Sequence, residues 1–138
     1  MIGWLKRRWA SRGTMPEALR RELEEEGLEL LEEQITGRVT YRGYVTAGQR
    51  PATGDQPTIA ALALTPRRLV IRGTQGLRLD APPGPVSAEL PEAGVLVLRY
   101  EAQDIYPARS GSVEMRLQTP RAAEIHARLQ AWNQTSAS

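Results

Sequence analysis

Along the chain the spacing of apolar positions changes from four to two and back again. Between Thr14 and Gly27 they fall at Met15, Leu19 and Leu23, a narrow stripe that predicts a helix over about residues 15–26. Thr14-Met15-Pro16-Glu17 has the S/T-x-x-E spacing of a capping box, in which the threonine oxygen accepts an early helix amide and the glutamate reaches back to the cap. Gly27 suits the left-handed residue that stops many helices. Leu30 and Leu31 continue the stripe, so residues 28–33 are open between helix and strand.

From Arg38 the period is two, with Val39, Tyr41 and Val45 on one side of a strand and Arg38, Thr40, Arg42 and Tyr44 on the other. A loop, Thr46 to Pro57, carries Gly48, Pro51, Gly54 and Pro57. The apolar run from Thr58 to Leu64, the Thr65-Pro66-Arg67 turn and Arg68 to Arg72 form a hairpin. Four more short strands are predicted at Leu77–Ala81, Val86–Leu90, Val95–Tyr100 and Val113–Thr119, which makes about seven. Thr119-Pro120 then places a capping hydroxyl ahead of a proline whose missing amide costs nothing at a helix start. Ala122, Ile125, Leu129 and Trp132 form one apolar face of a helix over about residues 120–133, which should pack on the sheet. The small polar tail from Gln134 is expected to fray.

Serial strands closed by one amphipathic C-terminal helix resemble the pleckstrin-homology-like (PH-like) barrel. Ala61-Leu62-Ala63-Leu64-Thr65-Pro66-Arg67-Arg68-Leu69-Val70-Ile71 is similar to the "apolar strand, Thr, basic turn, Arg-Leu-apolar" hairpin of small bacterial members, and Val113 to Trp132 to their last strand and helix. With Gly37 to Tyr44 the resemblance spans roughly residues 37–133. It implies a mainly β fold, an antiparallel, partly open barrel of about seven strands closed by the C-terminal helix, here preceded by an N-terminal helix. It implies a fold far more than an activity. Phosphoinositide-binding members carry a Lys and Arg cluster across the first hairpin, whereas the loop here offers Arg50 against Asp55, so inositol-phosphate binding does not follow. The tryptophan those members hold within the final helix is not equated with Trp132, which stands at its end.

Composition narrows the class. A chain of 138 residues with 41% hydrophobic and 25% charged residues is the size and make-up of one folded domain, residues 15–138, behind a leader of residues 1–14. The net charge of +2 is too small for a nucleic-acid binder, but its distribution is uneven. Residues 1–13 carry +4 from Lys6, Arg7, Arg8 and Arg12, residues 14–37 carry −6, and the remaining twelve arginines against eight acids leave +4. No cysteine is present, in keeping with a reducing cytoplasm. Charge begins at Lys6, before any signal-peptide apolar run could form, and the longest apolar run, Ile59 to Leu64, is far short of the roughly 20 residues that cross a bilayer. The expected location is the cytoplasm, with the inner face of the membrane as an alternative.

The remaining constellations carry little chemistry. His126 is the single histidine, and without cysteine no ordinary zinc site or histidine relay is at hand, so a surface histidine is expected. Glu101 and Asp104, beside Arg109 and Ser110, would need to face one cleft to act as a hydrolase pair; Asp104 bonding to the loop Tyr106 to Gly111 is preferred. Gly73, Gly76 and Gly84 punctuate hairpins and do not form a phosphate loop. Tyr41, Tyr44, Tyr100 and Tyr106 could line a stacking face, although strand tyrosines usually pack, and the glutamate run at 22–26 is read as a solvated helix face. The leader holds Trp4, Leu5, Lys6, Arg7, Arg8, Trp9 and Arg12, a basic and apolar mixture suited to an anionic membrane surface, a protein partner or neither. Arg50, Arg67 and Arg68 are candidate contacts at the hairpin loops. The expectation is a non-enzymatic interaction module binding a protein or peptide. A peripheral membrane protein tethered by residues 1–12 is the alternative, and an enzyme comes third; no metal, cofactor or nucleic acid is expected.

Overall fold

Helix α1 (Glu17–Glu25) is followed by strands β1 (Leu30–Thr46), β2 (Ala52–Leu64), β3 (Leu69–Gly73), β4 (Arg78–Ala81), β5 (Ser87–Glu92) and β6 (Val95–Glu101). A 3-10 turn (Ala102–Asp104), β7 (Arg109–Gln118) and helix α2 (Ala122–Ser136) complete the order. The computed structural model describes residues 12–46 and 52–136. The strands form one antiparallel sheet in the order β4-β3-β2-β1-β7-β6-β5, curled into a half-barrel. The long β1 serves both halves, since Thr36 to Tyr41 bond β2 on one side and β7 on the other. Irregularities at Glu32/Ile35 and Arg42/Val45 bend it, with Gln34 and Gly43 at φ 57° and 62°.

The apolar run at 59–64 is explained by cover on both faces. Ala60, Leu62 and Leu64 face the main core inside the curl, where Ala122, Ile125, Leu129 and Trp132 of α2 fill the concavity. Ala61 and Ala63 face outward with Val70, and Leu23, Met15 and Leu19 cover them. The small alanines let α1 lie close to the hairpin. Thr119 Oγ1 accepts the Arg121 amide at 3.1 Å, as its capping position implies, and helix α2 continues to Ser136, past the predicted fraying point. Asn133 closes the seam between the sheet edges: its Oδ1 accepts the Gly84 amide at 3.0 Å and its Nδ2 donates to the Val86 carbonyl at 2.9 Å.

Several expectations are corrected. The Thr14 capping box does not form: α1 starts two residues later than predicted, at Glu17, behind Pro16, with no side-chain cap. The Met15 amide is taken by Glu33 Oε2 on β1 at 2.7 Å, and Glu17 pairs forward with Arg21 at 2.9 Å. The helix does stop before Gly27, at Glu25, and of residues 28–33, open between helix and strand in the sequence, Leu30 onward enter β1, because Gly27 turns the chain at φ 94° and Leu30 pairs with Leu64. Much of the Thr46–Pro57 loop is strand. Between Ala52 and Pro57 β2 bonds only to β1, so Pro57 lacks an amide where none is needed, and Asp55 pairs with Arg38 at 3.0 Å. Strand β7 begins at Arg109 instead of Val113.

The glutamate run is not wholly solvated either. Arg68, with its side chain 19% exposed, bonds Glu26 at 2.6 Å, Asp80 at 2.6 Å and Glu22 at 3.2 Å, riveting α1 to the β2–β3 hairpin. The hydrogen bond from Arg68 holds the Glu26 carboxyl below its ordinary value near 4.5. A depressed carboxyl stabilises the fold above its unfolded pKa and loses that contribution as pH falls through the lower folded value. Acidification below about 4.5 should therefore speed hydrogen exchange in α1 ahead of the sheet, and Arg68→Gln should show the faster exchange already at neutral pH. Equal α1 protection in the variant and the parent at neutral pH would contradict the rivet.

Candidate functional site

The end of the half-barrel away from α2 is formed by the late part of β1, the start of β2, the β3–β4 turn, the end of β6 and the start of β7. Tyrosines converge there because β1 is bulged. Strict alternation would put Tyr41 and Tyr44 on opposite sides, as predicted. The irregularity at Gly43 shifts the register, and both rings pack against the core 5.3 Å apart, edge to face. Across the bulge stands Gly111 at φ 96°, where a Cβ would run into the Gly43 carbonyl and the Tyr44 amide. Two glycines thus allow the strands to cross closely and turn Tyr44 inward.

Tyr100 reaches the same space from β6, nearly fully buried, and Tyr106 from the connection before β7. Burial above all, then the neighbouring tyrosines, raises the Tyr100 hydroxyl well above its ordinary pKa, so it remains a neutral phenol. Burial likewise raises Tyr41. The Tyr106 hydroxyl accepts the Asp80 amide at 3.1 Å, and the Arg109 guanidinium lies 4.6 Å over its ring while donating to the Tyr44 hydroxyl at 3.1 Å. All four tyrosines of the chain therefore line one cavity of about 540 Å³, a size common for small-molecule sites.

Arg72, Arg78 and Arg109 line the same cavity with Gln56, Leu77 and Asp80. None of the three arginines forms an ion pair with a carboxylate among the described residues, and Asp80 is engaged by Arg68. Arg72 is half-buried; burial first, then the charge of Arg78, lowers its pKa from the ordinary arginine value. The cavity thus combines four phenols with three guanidiniums and one carboxylate.

The sequence-predicted site residues fall elsewhere. Trp4, Leu5, Lys6, Arg7, Arg8, Trp9 and Arg50 lie outside the described residues. Arg12 is exposed and borders a neighbouring depression that shares Arg72 and Arg78 with the mouth. Arg67 is exposed on the Thr65–Arg67 turn, its amide donating to Thr65 Oγ1 at 3.2 Å, and Arg68 is occupied as described. Glu101 and Asp104 are exposed and line one neighbouring depression, which shares Tyr100 with the mouth; Asp104 does not bond the following loop, which is anchored by the Tyr106 amide donating to the Ala102 carbonyl at 2.8 Å. His126 sits on α2, half-buried, 3.2 Å from Gln130 Nε2. Among the described residues no helix is long and apolar enough to cross a membrane.

In the sequence the four tyrosines read as a possible stacking face, with packing as the usual role of strand tyrosines. The signal that could have placed them is Gly43 between two tyrosines in a period-two segment, a mark of a bulge. Comparison with protein-family models, with curated proteins and with solved structures yields no match.

Proposed function

We propose that the chain is a non-enzymatic interaction module of PH-like architecture that takes its ligand, a small molecule or a side chain of a protein partner, into the tyrosine-lined mouth. The architecture is supported by the antiparallel meander, the β1–β7 pairing and the C-terminal helix in the concavity. The observation that carries the binding role is the gathering in one cavity of all four tyrosines with three arginines that form no ion pair with a carboxylate among the described residues. Phenolic rings offer flat apolar area with a polar edge at low entropic cost, the composition of a recognition surface. The mouth's ionisable groups are phenols, guanidiniums and one carboxylate already held by Arg68, so no general base stands ready for acid–base chemistry.

Thermal-shift screening of chemically varied small molecules tests this. A compound present at 100 times its Kd stabilises the native state by about 2.7 kcal/mol, several degrees for a domain of this size. Gln56 is exposed on β2 at the rim, so Gln56→Trp should fill the mouth without disturbing the core. Compounds that raise the melting temperature of the parent chain should fail to raise that of the variant. Equal shifts in both proteins would place the binding elsewhere, and consumption of a bound compound would replace the module with an enzyme.

A further inference from the structure

We propose that the mouth selects small aromatic acids, holding the ring among the tyrosines and the oxyanion between Arg72 and Arg78. The inference rests on the mouth being the binding site and adds the chemical class of its ligand. Arg72 on β3 and Arg78 on β4 are direct cross-strand partners, the last pair before the β3–β4 turn. Like charges placed directly opposite one another destabilise a sheet. Among the described residues no carboxylate forms an ion pair with either, and the nearest acid on β4, Asp80, is 2.6 Å from Arg68. The Arg72 guanidinium reaches only the carbonyls of Ile71 and Leu79, through long contacts of 3.4 and 3.5 Å. Its charge is thus partly desolvated, repelled by Arg78 and weakly bonded, and the attraction of Asp80, whose carboxylate is bonded to Arg68, offsets these only in part. An oxyanion between the two guanidiniums would remove the repulsion and supply charge-assisted acceptors with the planar geometry arginine matches best.

The third arginine of the cavity does not compete for the anion. Arg109 is spread over the Tyr106 ring and bonded to Tyr44, so it stiffens the aromatic wall. A ligand that satisfies both the arginine pair and the tyrosines therefore needs an acidic head and a flat body. Carboxylates and phosphate monoesters share this chemistry, and the choice between them is left to the experiment's arms.

The probes are benzoate, phenyl phosphate, inorganic phosphate and phenol, titrated into the full chain by amide and arginine side-chain NMR. Benzoate or phenyl phosphate should shift the Arg72 and Arg78 Nε–H signals and the amides around Tyr41, Tyr44 and Tyr106. Phenol should bind at least tenfold more weakly than the better acid, and inorganic phosphate should bind more weakly than phenyl phosphate. Arg78 is exposed, so Arg78→Gln should leave the fold intact and lower acid affinity at least tenfold, while Arg78→Lys recovers part of it. Phenol binding as well as both acids, or unchanged acid affinity in Arg78→Gln, would overturn the oxyanion site yet leave the mouth as a binding site. Absence of any shift at the mouth with all four probes overturns the acid assignment as well, and only a negative compound screen would take the module reading with it.

Discussion

Trp132→Ala should lower the free energy of unfolding by about 3–5 kcal/mol, among the largest single-residue losses in the chain. The indole is 6% exposed one turn before the end of α2, inside the same core as Leu64, Leu69 and Val86, and its Nε1–H points to the Pro66 carbonyl at 3.4 Å. Truncation removes the apolar area and leaves a cavity between the helix and the hairpin that neither backbone can collapse to fill. It also removes a hydrogen bond that ties α2 to the β2–β3 turn. Trp132→Phe should recover most of the loss. Urea unfolding of the three proteins checks this, and a loss below 1 kcal/mol for the alanine variant would mean that α2 is loosely docked.

The second large effect is expected from a single methyl group. Gly111→Ala should cost about 2–4 kcal/mol, because the left-handed backbone is strained for alanine and the added Cβ collides with backbone across the sheet. The obstacle is main chain of Gly43 and Tyr44, which moves only if the bulge moves. Gly76→Ala is the control: its φ of 75° carries similar strain, but no atom lies within 4 Å of the new methyl. That change should cost only about 1–2 kcal/mol, so the difference between the two isolates the crossing. Because the bulge orients Tyr44, Gly111→Ala should also reduce ligand binding at the mouth. Similar unfolding midpoints for the two variants would show that the strands do not depend on the close approach.

Elements governed by local pattern were legible in the sequence, and features set by distant partners were not. The β2–β3 hairpin and the face of α2 follow from short-range signals: an apolar run, a Thr-Pro turn, and apolar residues three and four apart. Residues 28–33 could not be assigned from pattern, because Leu30 and Leu31 fit either element until Leu30 is seen paired with Leu64. The Thr14 cap does not form because the helix begins behind Pro16, and the entering chain is held instead by a distant strand carboxylate, Glu33, which takes the Met15 amide eighteen residues away. Segment 52–57 reads as a loop from Gly54 and Pro57, because sequence alone does not show that only the β1-facing edge there must bond. The site was hidden for the same reason. Tyr44 changes sides only through the β1–β7 register around Gly43 and Gly111, and the facing of Arg72 and Arg78 exists only once β3 and β4 are paired. Composition showed an ordinary net charge of +2 and could not show that three arginines share one cavity with no ion pair to a carboxylate among the described residues.

The central claim, that four tyrosines form one recognition mouth, has a direct readout, because the chain contains four tyrosines and no others. Labelling with 3-fluorotyrosine gives one fluorine resonance for each of Tyr41, Tyr44, Tyr100 and Tyr106. A library of small aromatic acids, alcohols and amines is then titrated into the full chain. The account predicts that a compound that binds shifts at least three of the four resonances together, with one shared dissociation constant. Binding compounds that leave the tyrosine resonances in place, or move one of them alone, would contradict it.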